Sequence, residues 1–324
     1  MNISNEYYEK PLLSNLRVLL FMTSKTISLV NIALMMILIL VWGSSFVVVK
    51  WVLQDNITPI AIATFRFLVA SAIFVGALAL IKFRKQQYRV FVEWKDMPLL
   101  LVLGLVGITF FFMAQYLGIQ MAGASIAAIL VCLLSPIIIS FYSLRIFKEK
   151  LTIRNVLGIG IASAGTIAVI GGGTLTMQSN STNFAGGSLI LLTTPFMWAA
   201  YTLVGKKMMQ KYDPFLVVAY VNILGAICLV PFSLAENSFS KILALNFNEW
   251  SAILYLALTC SVLGYFIWFK VMSQTKAAIA SSFLFAEPLI TVVFAAAFIQ
   301  EQITLFTIAG GLLIFGGVFL VSKK

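Results

Sequence analysis

The sequence predicts an all-α integral membrane protein, with ten transmembrane helices forming two inverted five-helix repeats and both termini in the cytoplasm. Composition is the first observation. Of 324 residues, 61% are hydrophobic and 10% charged, with a mean hydropathy of +1.03, whereas a soluble globule carries about 25% charge. The second is ten apolar stretches near the length of about 20 residues that a helix needs to cross a bilayer. The third is a duplication. Pro136, Glu149, Thr152, Gly158 and Gly165 recur 152 positions later as Pro288, Glu301, Thr304, Gly310 and Gly317, and Ala128 and Ala280 hold the same register. Five spans per copy is an odd number, so the second copy must enter the membrane from the opposite face.

Residues 1–29 mix polar and apolar positions with Lys10, Arg17 and Lys25. No small-residue cleavage site is evident and the apolar segment that follows is of full span length, so a cytoplasmic tail is expected rather than a signal peptide. The first repeat, 30–172, holds spans at 30–53, 59–81, 99–119, 124–147 and 152–172. An outer linker at 173–184 leads to the second repeat, 185–322, with spans at 185–205, 214–235, 250–270, 277–300 and 304–322. Very short turns make the fourth and fifth spans, and the ninth and tenth, tight antiparallel hairpins. Trp51, Trp94, Trp250 and Trp268 sit near span ends, where interfacial tryptophans belong; Trp42 and Trp198 do not.

Basic residues in short loops are retained on the cytoplasmic side. With the N-terminus inside, all 22 lysines and arginines except Lys50, Lys241 and Arg66 fall on inner segments. The net charge of +11 therefore orients the chain in a multi-pass arrangement, expected in the cell membrane, and nucleic acid is not a predicted partner. The sequence contains no histidine, the commonest general base and metal ligand, which disfavours a membrane enzyme. Cys132, Cys228 and Cys260 stand singly in apolar stretches without CxxC spacing and read as packing residues. No metal or other cofactor is predicted, and the sequence has no nucleotide-binding loop.

Several residues break the apolar pattern at depth. Trp42 and Trp198 occupy the middles of spans one and six. Trp42 opens Trp42-Gly43-Ser44-Ser45-Phe46, where small residues let a neighbouring backbone approach and two hydroxyls offer polar contacts. Arg66 stands about eight residues into span two, where a guanidinium in hydrocarbon costs about 2.5 to 3.5 kcal/mol at helix centre; a substrate carboxylate or phosphate, a structural pair, or snorkelling would each offset that. Glu287 lies near the midplane of span nine, directly before Pro288. An acid there is either paired or neutral; proton coupling and recognition of a substrate amine are both open. Pro136 and Pro288 interrupt matching helices, the pattern expected of hinges at a transporter's central site. Glu149 and Glu301 are expected to cap the helices that begin at Thr152 and Thr304. The Gly158/Gly165 and Gly310/Gly317 pairs are expected to mark close helix packing.

The Trp-Gly-Ser-Ser-Phe segment, the Phe65-Arg66-Phe67 step and the duplicated Pro, Glu and Gly pattern together resemble the EamA-like transporters of the drug/metabolite transporter superfamily, over about residues 30–322. The resemblance implies a central cavity bordered mainly by spans one to four and six to nine, with spans five and ten peripheral. It carries over to Trp42, Ser44 and Ser45; the second half departs from the motif with Trp198-Ala199-Ala200-Tyr201. Within the spans that the resemblance places at the cavity, Gln115, Tyr116, Tyr201, Asn222 and Tyr265 are further polar candidates.

One deep cation and one deep acid suit a zwitterion or weakly charged metabolite better than strongly anionic cargo. The expected function is therefore a secondary transporter, in the exporter direction of the resembled family. It would move small metabolites such as amino acids by alternating access around a central cavity, with membrane lipid as its surroundings and protons as a candidate coupling ion. A multidrug or lipophilic-cation efflux carrier is the alternative. A channel is less favoured, because channels build pores from rings of like groups and the central residues here differ between halves.

Overall fold

A computed structural model describes residues 27–53, 57–174, 182–238, 245–299 and 305–322. The positions 1–26, most of the outer linker, and Lys241, Glu301, Thr304, Lys323 and Lys324 lie outside the described residues.

All regular structure among the described residues is helical. Helices α1 (Leu29–Leu53) and α2 (Pro59–Arg84) come first. α2 starts where Thr58 accepts the Ala61 N–H and a proline fills the first helical position, where a missing donor costs nothing. α3 (Trp94–Ala122) turns through Gly123, at φ 95°, into α4 (Ala124–Ile146). The left-handed backbone there suits glycine. α5 is Ile153–Thr174. α6 comes in two pieces, Thr182–Leu191 and Thr194–Met208. The break follows from Pro195, which cannot donate to the Leu191 carbonyl; the Thr194 hydroxyl donates to it instead at 2.7 Å. α7 (Pro214–Ala235) starts as α2 does, with Asp213 accepting from the Phe215 N–H. α8 is Phe247–Gln274. α9 comprises Ala277–Ser282, a 3-10 turn Phe283–Ala286 and Glu287–Ile299, and α10 is Leu305–Ser322.

Seven helical stretches among the described residues are long and apolar enough to cross a membrane, and α4 and α10 contain the shorter apolar stretches Leu130–Ile146 and Ile308–Val321. The protein is a multi-pass membrane protein. Several helices outrun the expected apolar spans: α3 begins at Trp94 rather than 99, and α8 runs from 247 to 274 rather than 250 to 270. Hydropathy marks the hydrocarbon-facing part, while the backbone ladder continues through polar residues at each end.

The duplication is visible in the packing. α1 packs on α8 and α9 as α6 packs on α3 and α4, while α2 packs on α7 and α5 on α10. Exchanging the halves maps each pairing onto another. Counterpart helices meet antiparallel: Thr58 of α2 bonds Ser238 beyond the end of α7 at 3.3 Å, while Phe74 meets Phe215 at 5.5 Å. α5 and α10 do likewise, with a Cβ on Gly158 falling 2.7 Å from the Gly317 carbonyl and one on Gly165 falling 2.6 Å from that of Gly310. The two glycine pairs thus bring these backbones together.

A feature absent from the sequence reading also repeats. α3 and α8 each contain a π-helical turn, Leu105–Phe110 and Leu256–Leu263, matched in the same register. Such turns shift backbone carbonyls out of the regular ladder and are frequent at functional sites.

One end of the bundle gathers the connections after α2, α4, α6 and α8. Tyr88 donates to Asp213 at 3.0 Å, Lys211 pairs with Glu93 at 2.7 Å and with Asp96, and Lys95 pairs with Glu93 at 2.8 Å. The bond from Lys211, aided by Lys95, holds the Glu93 carboxyl at about 2, below its ordinary range. Glu149 does not follow the expected capping role. The start of α5 is closed by Asn155 Oδ1, which accepts from the Thr152 N–H at 3.0 Å and hydroxyl at 2.8 Å. Glu149 reaches across to α6 and α9 instead, because the first two N–H groups of α9, which have no helical acceptor, and an ammonium face it there.

Candidate functional site

A small cavity of about 50 Å³ lies between the halves, lined by Trp42, Ser45 and Phe46 of α1, Arg66 of α2, Phe111, Phe112 and Gln115 of α3, Val131 and Cys132 of α4, Trp198 of α6, Tyr265 of α8, and Leu284 and Glu287 of α9. Among the described residues, α5, α7 and α10 contribute no lining residue.

The Trp-Gly-Ser-Ser segment has a distinct contact at each position. Trp42 Nε1–H donates to the Cys260 carbonyl at 3.0 Å, a carbonyl within the π-helical turn of α8. A Cβ on Gly264 would lie 2.4 Å from that indole nitrogen, so glycine there lets the ring approach. Gly43 admits α9: its own Cβ would meet Ile290 at 2.7 Å, and its carbonyl accepts from the Thr291 hydroxyl at 2.9 Å. Ser44 turns away from the cavity to Tyr255 Oη at 2.6 Å, and Ser45 faces the cavity while donating to the Trp42 carbonyl at 2.6 Å.

Arg66 is 3% exposed and held by neutral groups. Its Nε–H donates to Ser261 Oγ at 2.7 Å and Nη1–H to Tyr116 Oη at 2.5 Å. The guanidinium lies 4.7 Å from the Phe112 ring centre and 5.1 Å from that of Phe67, a cation–π arrangement. Tyr116 thus stands behind Arg66 and positions it rather than lining the cavity. Two hydroxyls and two ring faces fix the group while leaving its charge uncancelled by any protein carboxylate among these partners.

Glu287, 4% exposed, begins the last piece of α9. Its Oε2 accepts from the Cys132 thiol at 2.7 Å, while Oε1 has no hydrogen-bond partner among the described residues. Pro288 cannot donate to the carbonyl of Leu284, and the 3-10 turn Phe283–Ala286 falls at that point. Pro136, its counterpart, sits inside an unbroken α4. Ser135, the counterpart of Glu287, is fully buried with its hydroxyl unpartnered among the described residues.

Aromatic rings form one wall. Trp198 lies 5.4 Å from Trp42, 5.3 Å from Phe111 and 5.7 Å from Trp268. Tyr201 packs beneath it against Tyr265 and Phe269, below the cavity lining, with Gly107 leaving room for its ring. Asn222 is buried in α7 and donates to the Val218 carbonyl of its own helix at 2.9 Å. Among the described residues no three metal-ligating side chains converge.

Trp42, Ser45, Arg66, Gln115, Trp198, Tyr265 and Glu287 therefore meet at one cavity, whereas Ser44, Tyr116, Tyr201 and Asn222 lie outside its lining. Sequence reasoning missed Phe111, Phe112, Cys132, Ser261 and Trp268. Trp268, expected at the interface, is fully buried against Trp42, because α8 continues to Gln274. Cys132, read as packing, lies one helical turn before the counterpart of Glu287, a spacing that could have placed it on the same face.

Comparison with known proteins decides the family. The profile of the EamA-like transporter family matches residues 29–171 and again 185–323. This chain belongs to the EamA-like transporter family. An uncharacterized transporter of Archaeoglobus fulgidus is 30% identical over 292 residues, covering 90% of this chain and 96% of the relative. A probable amino-acid metabolite efflux pump of Salmonella typhimurium is 26% identical over 304 residues, covering 89% and 93%. A crystal structure with a TM-score of 0.69 and 17% identity covers 90% of this chain and 96% of that one, so the two share a fold. In this EamA-like chain the paired profile matches coincide with the two packing-related halves.

Proposed function

We propose that this protein is a secondary carrier that exports small metabolites such as amino acids by alternating access around the central cavity. The observation that carries the reading is the single cation Arg66 and the single acid Glu287 on one cavity, the first held by neutral hydroxyls and the second with an unpartnered oxygen. A substrate carboxylate would take the charge of Arg66, which binds such groups in a planar fork. A substrate amine would take Glu287 Oε1. The similarity to an amino-acid metabolite efflux pump favours the same substrate class and direction.

In this proposal the helices form ten crossings as two inverted repeats with both termini cytoplasmic. Antiparallel packing of α2 on α7 and of α5 on α10, together with the placement of basic residues, supports it. The 3-10 turn before Pro288 serves as the hinge of α9, and Pro136 as a softer one in α4. Protons are the coupling ion, carried by Glu287 in exchange for substrate, with membrane lipid surrounding the bundle.

A second reading is favoured by one observation: Trp42, Trp198, Phe111, Phe112 and Tyr265 line the same cavity as the acid, and aromatic faces sharing a cavity with a carboxylate suit a lipophilic cation. Uptake of a labelled amino acid panel into proteoliposomes, with and without a pH gradient, separates the two. Saturable, gradient-dependent uptake that Glu287→Gln abolishes is the expected result. Transport retained in Glu287→Gln with an unchanged pH dependence removes proton coupling through Glu287. Uptake of lipophilic cations alone transfers the proposal to the second reading.

A further inference from the structure

Glu149 and Lys206 form a junction that capping of α5 does not explain. Lys206 Nζ lies 2.8 Å from Glu149 Oε1, and both side chains are largely buried, at 13% and 7% exposure. The same carboxylate accepts the Ala277 N–H at 2.8 Å and the Ala278 N–H at 3.5 Å, the first amides of α9. Lys206 also donates to the Thr275 carbonyl at 2.7 Å. One carboxylate therefore ties the end of α4, from the first half, to the end of α6 and the start of α9, from the second.

Its position relative to the cavity gives the junction a consequence. Ala277 lies ten residues before Glu287 on α9, about 15 Å along a helix axis, and Lys206 lies eight after Trp198, about 12 Å. The space between holds an aromatic layer of Tyr201 and Phe269, 5.0 Å apart. Phe269 packs so closely on α6 that a Cβ on Gly205 would fall 2.5 Å from its ring. The same α9 carries the junction at one end, the 3-10 turn in its middle and Glu287 beyond it. A shift of α9 at that turn moves its two ends relative to each other, so occupancy at Glu287 and the bonds at Ala277 are mechanically linked.

We propose that Glu149 and Lys206 are gating residues: their pair, with the α9 amides, latches the cavity shut on the side assigned to the cytoplasm and breaks in each transport cycle. Losing Glu149 breaks its bond to the ammonium and its bonds to two amides together, which makes the latch two-state rather than gradual. The proposal depends on the carrier orientation given above, and its test reads access rather than substrate.

Cys132 lines the cavity and is a native reporter of access. With Cys228→Ser and Cys260→Ser in place, a membrane-impermeant maleimide is applied to inside-out and to right-side-out vesicles. Glu149→Gln and Lys206→Met are each expected to speed labelling from the cytoplasmic face by about tenfold, the factor that one charge-assisted hydrogen bond supplies. Lys206→Met leaves Glu149 on the α9 amides and serves if Glu149→Gln does not fold. A charge exchange, Glu149→Lys with Lys206→Glu, is expected to label more slowly than either single variant. Unchanged labelling from the cytoplasmic face in folded Lys206→Met overturns the latch. Acceleration from the outer face alone overturns its assignment to the cytoplasmic side and reverses the orientation, without bearing on substrate class.

Discussion

Arg66 shows how a costly residue is held without being neutralised. Two hydroxyls and two aromatic faces fix the guanidinium, so its charge stays available to a ligand. Arg66→Met is expected to weaken transport by about tenfold to a hundredfold, the range for losing a hydrogen bond to a charged group. Arg66→Lys should recover only part, since an ammonium cannot reproduce the fork; uptake at several substrate concentrations would separate affinity from turnover, and wild-type rates in both variants would refute the role. The depth of Arg66, Glu287, Trp42 and Trp198 was legible because charge and large aromatics stand out against apolar sequence. Facing was not. Ser44 and Ser45 are adjacent and chemically identical, yet one meets Tyr255 and the other the cavity, a distinction set by helix phase. Trp268 was misplaced for a related reason: distance from the end of an apolar stretch is not distance from the end of a helix.

At the level of elements, prolines and glycines were the readable marks. Pro288 was read as an interruption and accompanies the 3-10 turn in α9, whereas Pro195, which divides the span expected at 185–205, went unread; both act through a donor that proline lacks. The π-helical turns of α3 and α8 left no such signature, because they replace no residue type and depend on which carbonyls neighbouring helices engage. Close packing of α5 on α10 gives a direct test. Gly165→Leu forces a side chain against the Gly310 carbonyl and should cost about 1 to 3 kcal/mol, seen as a lower thermal midpoint in detergent; an unchanged midpoint would contradict that packing. The connections joined by Glu93 and Lys211 give a pH test. Because the Glu93 carboxyl is held at about 2 in the folded protein, its contribution is complete above its ordinary value of 4.5 and is lost as pH falls toward 2. Wild type should lose thermal stability across that window more steeply than Glu93→Gln. Parallel pH profiles would show that the pair contributes nothing to stability.

For the molecule as a whole, the duplication was legible from a handful of residues in one register, and the packing of counterpart helices follows it. What the sequence could not supply was the connection between the halves. The expected cap of Glu149 on its own neighbouring helix gave way to a contact more than a hundred residues away, which only the assembled bundle creates. The asymmetry of the cavity follows a similar logic: one half contributes Arg66 and Cys132, the other Glu287, so neither repeat contains the site alone. In the proposed alternating access, this one cavity is exposed to each side of the membrane in turn. Counterflow in proteoliposomes tests it most directly, with unlabelled amino acid trapped inside and a trace of labelled amino acid outside. A transient accumulation of label above equilibrium, absent in Arg66→Met, is expected. Label that only equilibrates, at a rate unaffected by the trapped substrate, would contradict alternating access and indicate a channel.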